Sequence, residues 1–125
     1  MVAKFLIGRG LSGRSDIMTE HHKNRIKAVN AQDVYLYVPC FSLVTIMKAL
    51  EVDKVDYFSL DVEGGEMDVL NSINLNELDV ETFSIEHNSR RKDIHAIRNY
   101  FKSRVNYKEM KIDGQDIFFQ KFPTD

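Results

Sequence analysis

Three things are scarce in this sequence of 125 residues: cysteine, long apolar runs and an excess of either charge. Cys40 is the single cysteine, so no internal disulfide can form and no cysteine-based metal cage is on offer. With no histidine beside it in sequence, Cys40 reads as a small buried hydrophobe rather than a nucleophile. No apolar stretch approaches the ~20 residues that cross a bilayer, and residues 1–7 are too few for the core of a signal peptide. No membrane span is expected. Lys and Arg number 17 against 19 Asp and Glu, a net charge of -2, which gives no general field for nucleic acid or anionic lipid. No nucleic acid partner is expected, and the composition fits the cytoplasm. Internal repeats, low-complexity tracts and linkers are absent too, so the expectation is a single domain over 1–125.

What is present alternates between strand and helix patterns. A short apolar run, residues 3–7, reads as a strand followed by a loop over the glycine-rich stretch Gly8–Ser15. Asp16 to Asn30 is mostly polar, and residues 8–33 as a whole read as a loop or mobile connection. Val34, Leu36 and Val38 alternate with tyrosines before Pro39, which predicts a strand. Ser42 caps a helix whose apolar face is Leu43, Ile46, Met47 and Leu50. Val55–Val62 reads as a strand covered on both faces, followed by a helix carrying Met67, Leu70 and Ile73. Val80–His87 is a second strand, Ile94, Ile97 and Phe101 mark another helix, and 107–112 and 117–122 form a hairpin around Asp113-Gly114. This order predicts an α/β fold: parallel strands with helices, closed by a C-terminal antiparallel hairpin.

Gly8-x-Gly10-x-x-Gly13 matches the dinucleotide fingerprint in letters, and Asp33 follows at the usual distance. It fails in context, because the helix opening at the glycines needs an apolar face and Arg14–Asn24 has none. His21-His22 beside Glu20 reads as a solvated polar segment, since adjacent histidines point apart. Arg90-Arg91-Lys92 likewise reads as solvated. The informative cluster is Asp61-Val62-Glu63-Gly64-Gly65-Glu66, three carboxylates at the C-terminal end of a strand. Open α/β sheets bind ligands at that end. Glu86-His87-Asn88 ends the next strand, and parallel neighbours would bring both clusters to one rim. Such carboxylates accept a hydroxyl proton, hold a hydroxyl or amine, or bind a hard cation. Glu63 and Glu66 also suit a helix N-terminus, and for Glu66 the two readings stand level.

Residues 55–70, with their Asp61-Val62-Glu63-Gly64-Gly65-Glu66 core, resemble the signature of FkbM-type S-adenosylmethionine-dependent methyltransferases. Val38–Leu43, Ser84–His87 and Gln115–Lys121 resemble flanking parts of that family, and the wording is similar to its animal, Star-like branch. Gly65 stands where the family commonly has alanine. The resemblance implies a partial Rossmann-like class I sheet, this chain being its C-terminal half, with the glycine-rich cofactor turn upstream. It implies S-adenosylmethionine as cofactor, bound by Asp61, Val62, Glu63 and Gly64, and a small-molecule or sugar-like hydroxyl as acceptor. Asp61, Glu63, Glu86 and His87 are the catalytic candidates; Asp61, Glu86 and Asn88 are candidate metal ligands by analogy with catechol-type enzymes. His87 begins closest to working pH as a base. The alternatives are a non-catalytic interaction module of the secretory pathway, reached through an upstream anchor, or a fragment without activity. Without the first strand of the family's sheet, Val55–Val62 would expose an edge. The expectation is a homodimer, pairing with the missing N-terminal half, or capping by its own N-terminal segment.

Overall fold

The computed structural model describes residues 1–8, 11–30, 32–104 and 106–123. Among these, seven strands and four helices fall into two compact units, one made of Met1–Phe41 with Val62–Gly65 and the other of the remainder.

The first unit holds strands β1 (Val2–Ile7), β2 (Gly13–Arg14) and β3 (Val34–Pro39) and helix α1 (Glu20–Val29). The strands form an antiparallel sheet in the order β2-β1-β3. Residues 8–33 are therefore not a plain loop: β2 and the ten-residue α1 lie within them. Thr19 starts α1 by accepting the His22 backbone N–H at 3.2 Å. His22 and Ile26 then share one face four residues apart, and both are buried. Two inward residues among charged neighbours make too weak a pattern for periodicity to reveal. Ile26 packs so closely on Gly8 that a Cβ there would lie 2.6 Å from its side chain. Leu6, Met18 and Ile26 form the small core, with Leu11 against it. The alternation of β3 produces no buried face: Val34, Leu36 and Tyr37 are all exposed. Cys40 is partly exposed rather than buried. No helix opens at the fingerprint glycines, α1 beginning only after β2; Gly10 itself lies outside the described residues.

The second unit contains α2 (Leu43–Ala49), β4 (Lys54–Leu60), α3 (Glu66–Ser72), β5 (Asp79–Glu86), α4 (Arg91–Lys102), β6 (Tyr107–Asp113) and β7 (Asp116–Lys121). Its sheet runs β4-β5-β7-β6, with β4 and β5 parallel and the other pairs antiparallel. The hairpin turns on Gly114 at φ 62°, a value a glycine adopts without strain. β5 is the centre of the core: Val80, Phe83 and Ile85 are fully buried. Phe83 meets Phe58, Phe101 and Tyr107 edge-on at centroid distances of 5.8, 5.3 and 5.7 Å. Phe101 also stacks on Phe119 at 4.0 Å. Ser42 caps α2 as expected, accepting from Thr45 N–H at 3.1 Å. The buried side of α2 differs from the expected stripe: Leu43, Val44 and Met47 pack on the core, while Ile46 and Leu50 face solvent. The apolar stripe of α2 is wider than its contact, so spacing alone does not choose the inward half.

The two edges of this sheet differ. β6 carries Lys108, Glu109, Lys111 and Asp113, with a register shift between Glu109 and Lys111, features that blunt an edge. β4 ends in the uncharged run Tyr57–Leu60 and pairs within its sheet only with β5.

Candidate functional site

Parallel pairing of β4 with β5 brings the acidic motifs together. Leu60 lies opposite Ile85, so Asp61 and Glu86, the next residues, come side by side at the C-terminal ends of the two strands. Glu66 opens α3, where the helix dipole favours a carboxylate. One oxygen from each of Asp61, Glu66 and Glu86 lies within 4.8 Å of the others. Burial grades across the trio: Glu66 is 6% exposed, Glu86 half-buried and Asp61 open to solvent. An all-oxygen acceptor set of this kind takes hydroxyl or ammonium donors, a positive centre, or a hard cation.

The turn after β5 is shaped around Glu86. Asn88 Nδ2 donates to Glu86 Oε2 at 2.8 Å, and Asn88 and Ser89 both adopt left-handed backbone, φ 50° and 57°. Two consecutive non-glycine residues in that region store strain, a feature concentrated at functional sites. His87 is 2% exposed, and its Nδ1 accepts the Ser89 N–H at 3.0 Å. The ring proton therefore sits on Nε2, which has no hydrogen-bond partner among the described residues.

Val62, Glu63 and Gly64 belong to the first unit. Strand β4 stops at Leu60, and the backbone turns left-handed at Glu63 (φ 56°) and Gly64 (φ 105°). Glu63 Oε2 lies 3.2 Å from Nδ1 of His22, whose Nε2 is 2.6 Å from the Leu11 carbonyl oxygen. His22, read from sequence as solvated, is 7% exposed. A Cβ on Gly65 would stand 2.8 Å from Ile17 Cδ1, which matches glycine at this point of the motif.

Of the residues singled out from sequence, Asp61 and Glu86 share the rim with Glu66. Glu63 is engaged by His22, and Asn88 spends its amide nitrogen on Glu86. Glu66, not among the expected metal candidates, joins Asp61 and Glu86 in this carboxylate cluster. Arg90 pairs with Asp93 at the start of α4, while Arg91 and Lys92 are exposed. His22 was hidden because only its turn of helix, not its neighbours in sequence, shows that it points inward.

No curated protein and no solved structure matches the chain at a significant level. The Methyltransferase FkbM domain matches residues 6–109, a span containing the whole acidic rim, the Glu63–His22 pair and the parallel β4–β5 core. The chain belongs to the FkbM methyltransferase family.

Proposed function

We propose that this chain carries the acceptor rim of an S-adenosylmethionine-dependent O-methyltransferase acting on a small or sugar-like hydroxyl. In this reading its four-stranded sheet is part of a Rossmann-like class I methyltransferase sheet. The observation that carries the reading is the convergence of Asp61, Glu66 and Glu86 at the C-terminal end of parallel β4 and β5, within a chain of this family. S-adenosylmethionine supplies an electrophilic methyl group on a positively charged sulfur. The residues present fit it: carboxylates accept from ribose hydroxyls and an ammonium group, and they attract a cationic centre. Asp61 is the residue for that contact. Glu86, steadied by Asn88, would orient the acceptor hydroxyl and accept its proton. His87 is walled in by its own turn and acts by holding that turn.

Calorimetric titration with S-adenosylmethionine tests the reading. Binding by the wild-type chain, weakened at least about tenfold in Asp61→Asn, supports it. Neither heat nor a thermal shift at millimolar cofactor refutes it. Repeating the titration in EDTA and in Mg²⁺ reports whether a cation enters with the cofactor.

A further inference from the structure

The clearest built feature outside the rim is the pair His22 and Glu63. Both ring nitrogens of His22 face an acceptor, the Leu11 carbonyl at 2.6 Å and the Glu63 carboxylate at 3.2 Å, and the side chain is 8% exposed. The backbone N–H of the same residue is tied to Thr19 at 3.2 Å. Glu63 in turn adopts a left-handed conformation that disfavours a side chain, at φ 56°. The neighbouring Gly65 fits so tightly on Ile17 that a Cβ would approach to 2.8 Å. A residue held in costly backbone geometry by one buried partner is being used to shape a turn. The residues covalently flanking this turn, Asp61 and Glu66, are two members of the acidic rim.

We propose that His22 and Glu63 form a clamp that sets the turn between β4 and α3, so that Glu63 is a positioning residue whose carboxylate serves His22 rather than a ligand. The clamp rests on the methyltransferase reading only for its consequence on cofactor binding; its effect on the turn stands separately. Because the Glu63 side chain is 40% exposed, loss of its hydrogen bond to buried His22 changes a local opening equilibrium by about threefold to tenfold.

Amide hydrogen exchange on His22→Leu, Glu63→Ala, Glu63→Gln and the His22→Leu/Glu63→Ala double variant tests it, with S-adenosylmethionine affinity measured on the same set. The expected result is exchange at 62–65 faster by about threefold to tenfold in each of the first two variants. The double variant should be no worse than either, and Glu63→Gln, which keeps an acceptor oxygen, should recover most of the protection. Amides of β5 should not change. Unaltered exchange at 62–65 in His22→Leu, or losses that multiply in the double variant, would overturn the clamp. Should His22→Leu fail to fold, Glu63→Gly replaces it. Glycine relieves the left-handed strain, so faster exchange in that variant would come from the lost carboxylate, and unchanged exchange would overturn the proposal. In the affinity arm, His22→Leu should weaken cofactor binding as much as Glu63→Ala does, without the two effects multiplying. Faster exchange with unchanged affinity would overturn the positioning role. No binding by the wild type would refute the methyltransferase reading and leave the exchange result to judge the clamp.

Discussion

Raising the pH from 10 to 12 should remove stability from the second unit through one side chain, Tyr107. Its ring packs on Phe83 and Phe101, its hydroxyl donates to the Val80 carbonyl, and it is 8% exposed. Burial pushes its pKa from 10.0 up to about 12, with the nearby Asp79 carboxylate and Tyr100 adding in the same direction. A phenol whose folded pKa is raised favours the folded state below the unfolded pKa and loses that contribution as pH rises through the folded one. The rise from 10.0 to about 12 corresponds to about 3 kcal/mol, fully present at pH 8 and gone above pH 12. Urea unfolding of the wild type and Tyr107→Phe, followed by circular dichroism from pH 8 to 12, measures it. At pH 8 the variant should be less stable by about 1 kcal/mol, because the Val80 carbonyl loses its donor. Above pH 11 the order should reverse, since the variant has no phenol to ionise. Parallel pH profiles for the two proteins would refute the assignment; lysines titrate in the same range but are common to both.

Phe83→Ala should cost about 3–5 kcal/mol in urea unfolding, since it empties a fully buried site contacted by three rings; a cost below about 1 kcal/mol would contradict the central place of β5. Gly8→Ala should destabilise by about 1–3 kcal/mol, because its Cβ would meet the β-branched Ile26 at 2.6 Å, and an unchanged melting temperature would show that α1 shifts freely. The uncharged stretch Tyr57–Leu60 of the outer strand β4 should pair with a second copy or with a further strand. Sedimentation should then show concentration-dependent association that Tyr57→Lys suppresses, and a monodisperse monomer at all concentrations would count against it.

The sequence alone carried most of the elements of the second unit. In β5 and α4 the local pattern and the buried face coincide, and Asp113-Gly114 marked the hairpin; β4 was found as a strand, but the expectation that both its faces are covered is corrected, since Asp56, Tyr57 and Ser59 are exposed and only Leu60 is buried. The acidic motifs at the ends of β4 and β5 were legible for the same reason: a strand end followed by carboxylates is a local signal. The first unit was legible only in part: the runs at 3–7 and 34–38 are strands β1 and β3, whereas β2 and α1 went unread. Helix α1 buries only His22 and Ile26, so its pattern is nearly silent, and β3 shows alternation without burying a face. Only the tertiary structure decided which acids meet. Parallel register sets Asp61 beside Glu86, the start of α3 adds Glu66, and a left-handed turn assigns Glu63 to His22. Residue type and spacing determine what a side chain can do; which partner it has depends on strand register and on turns whose geometry is set by residues far along the chain.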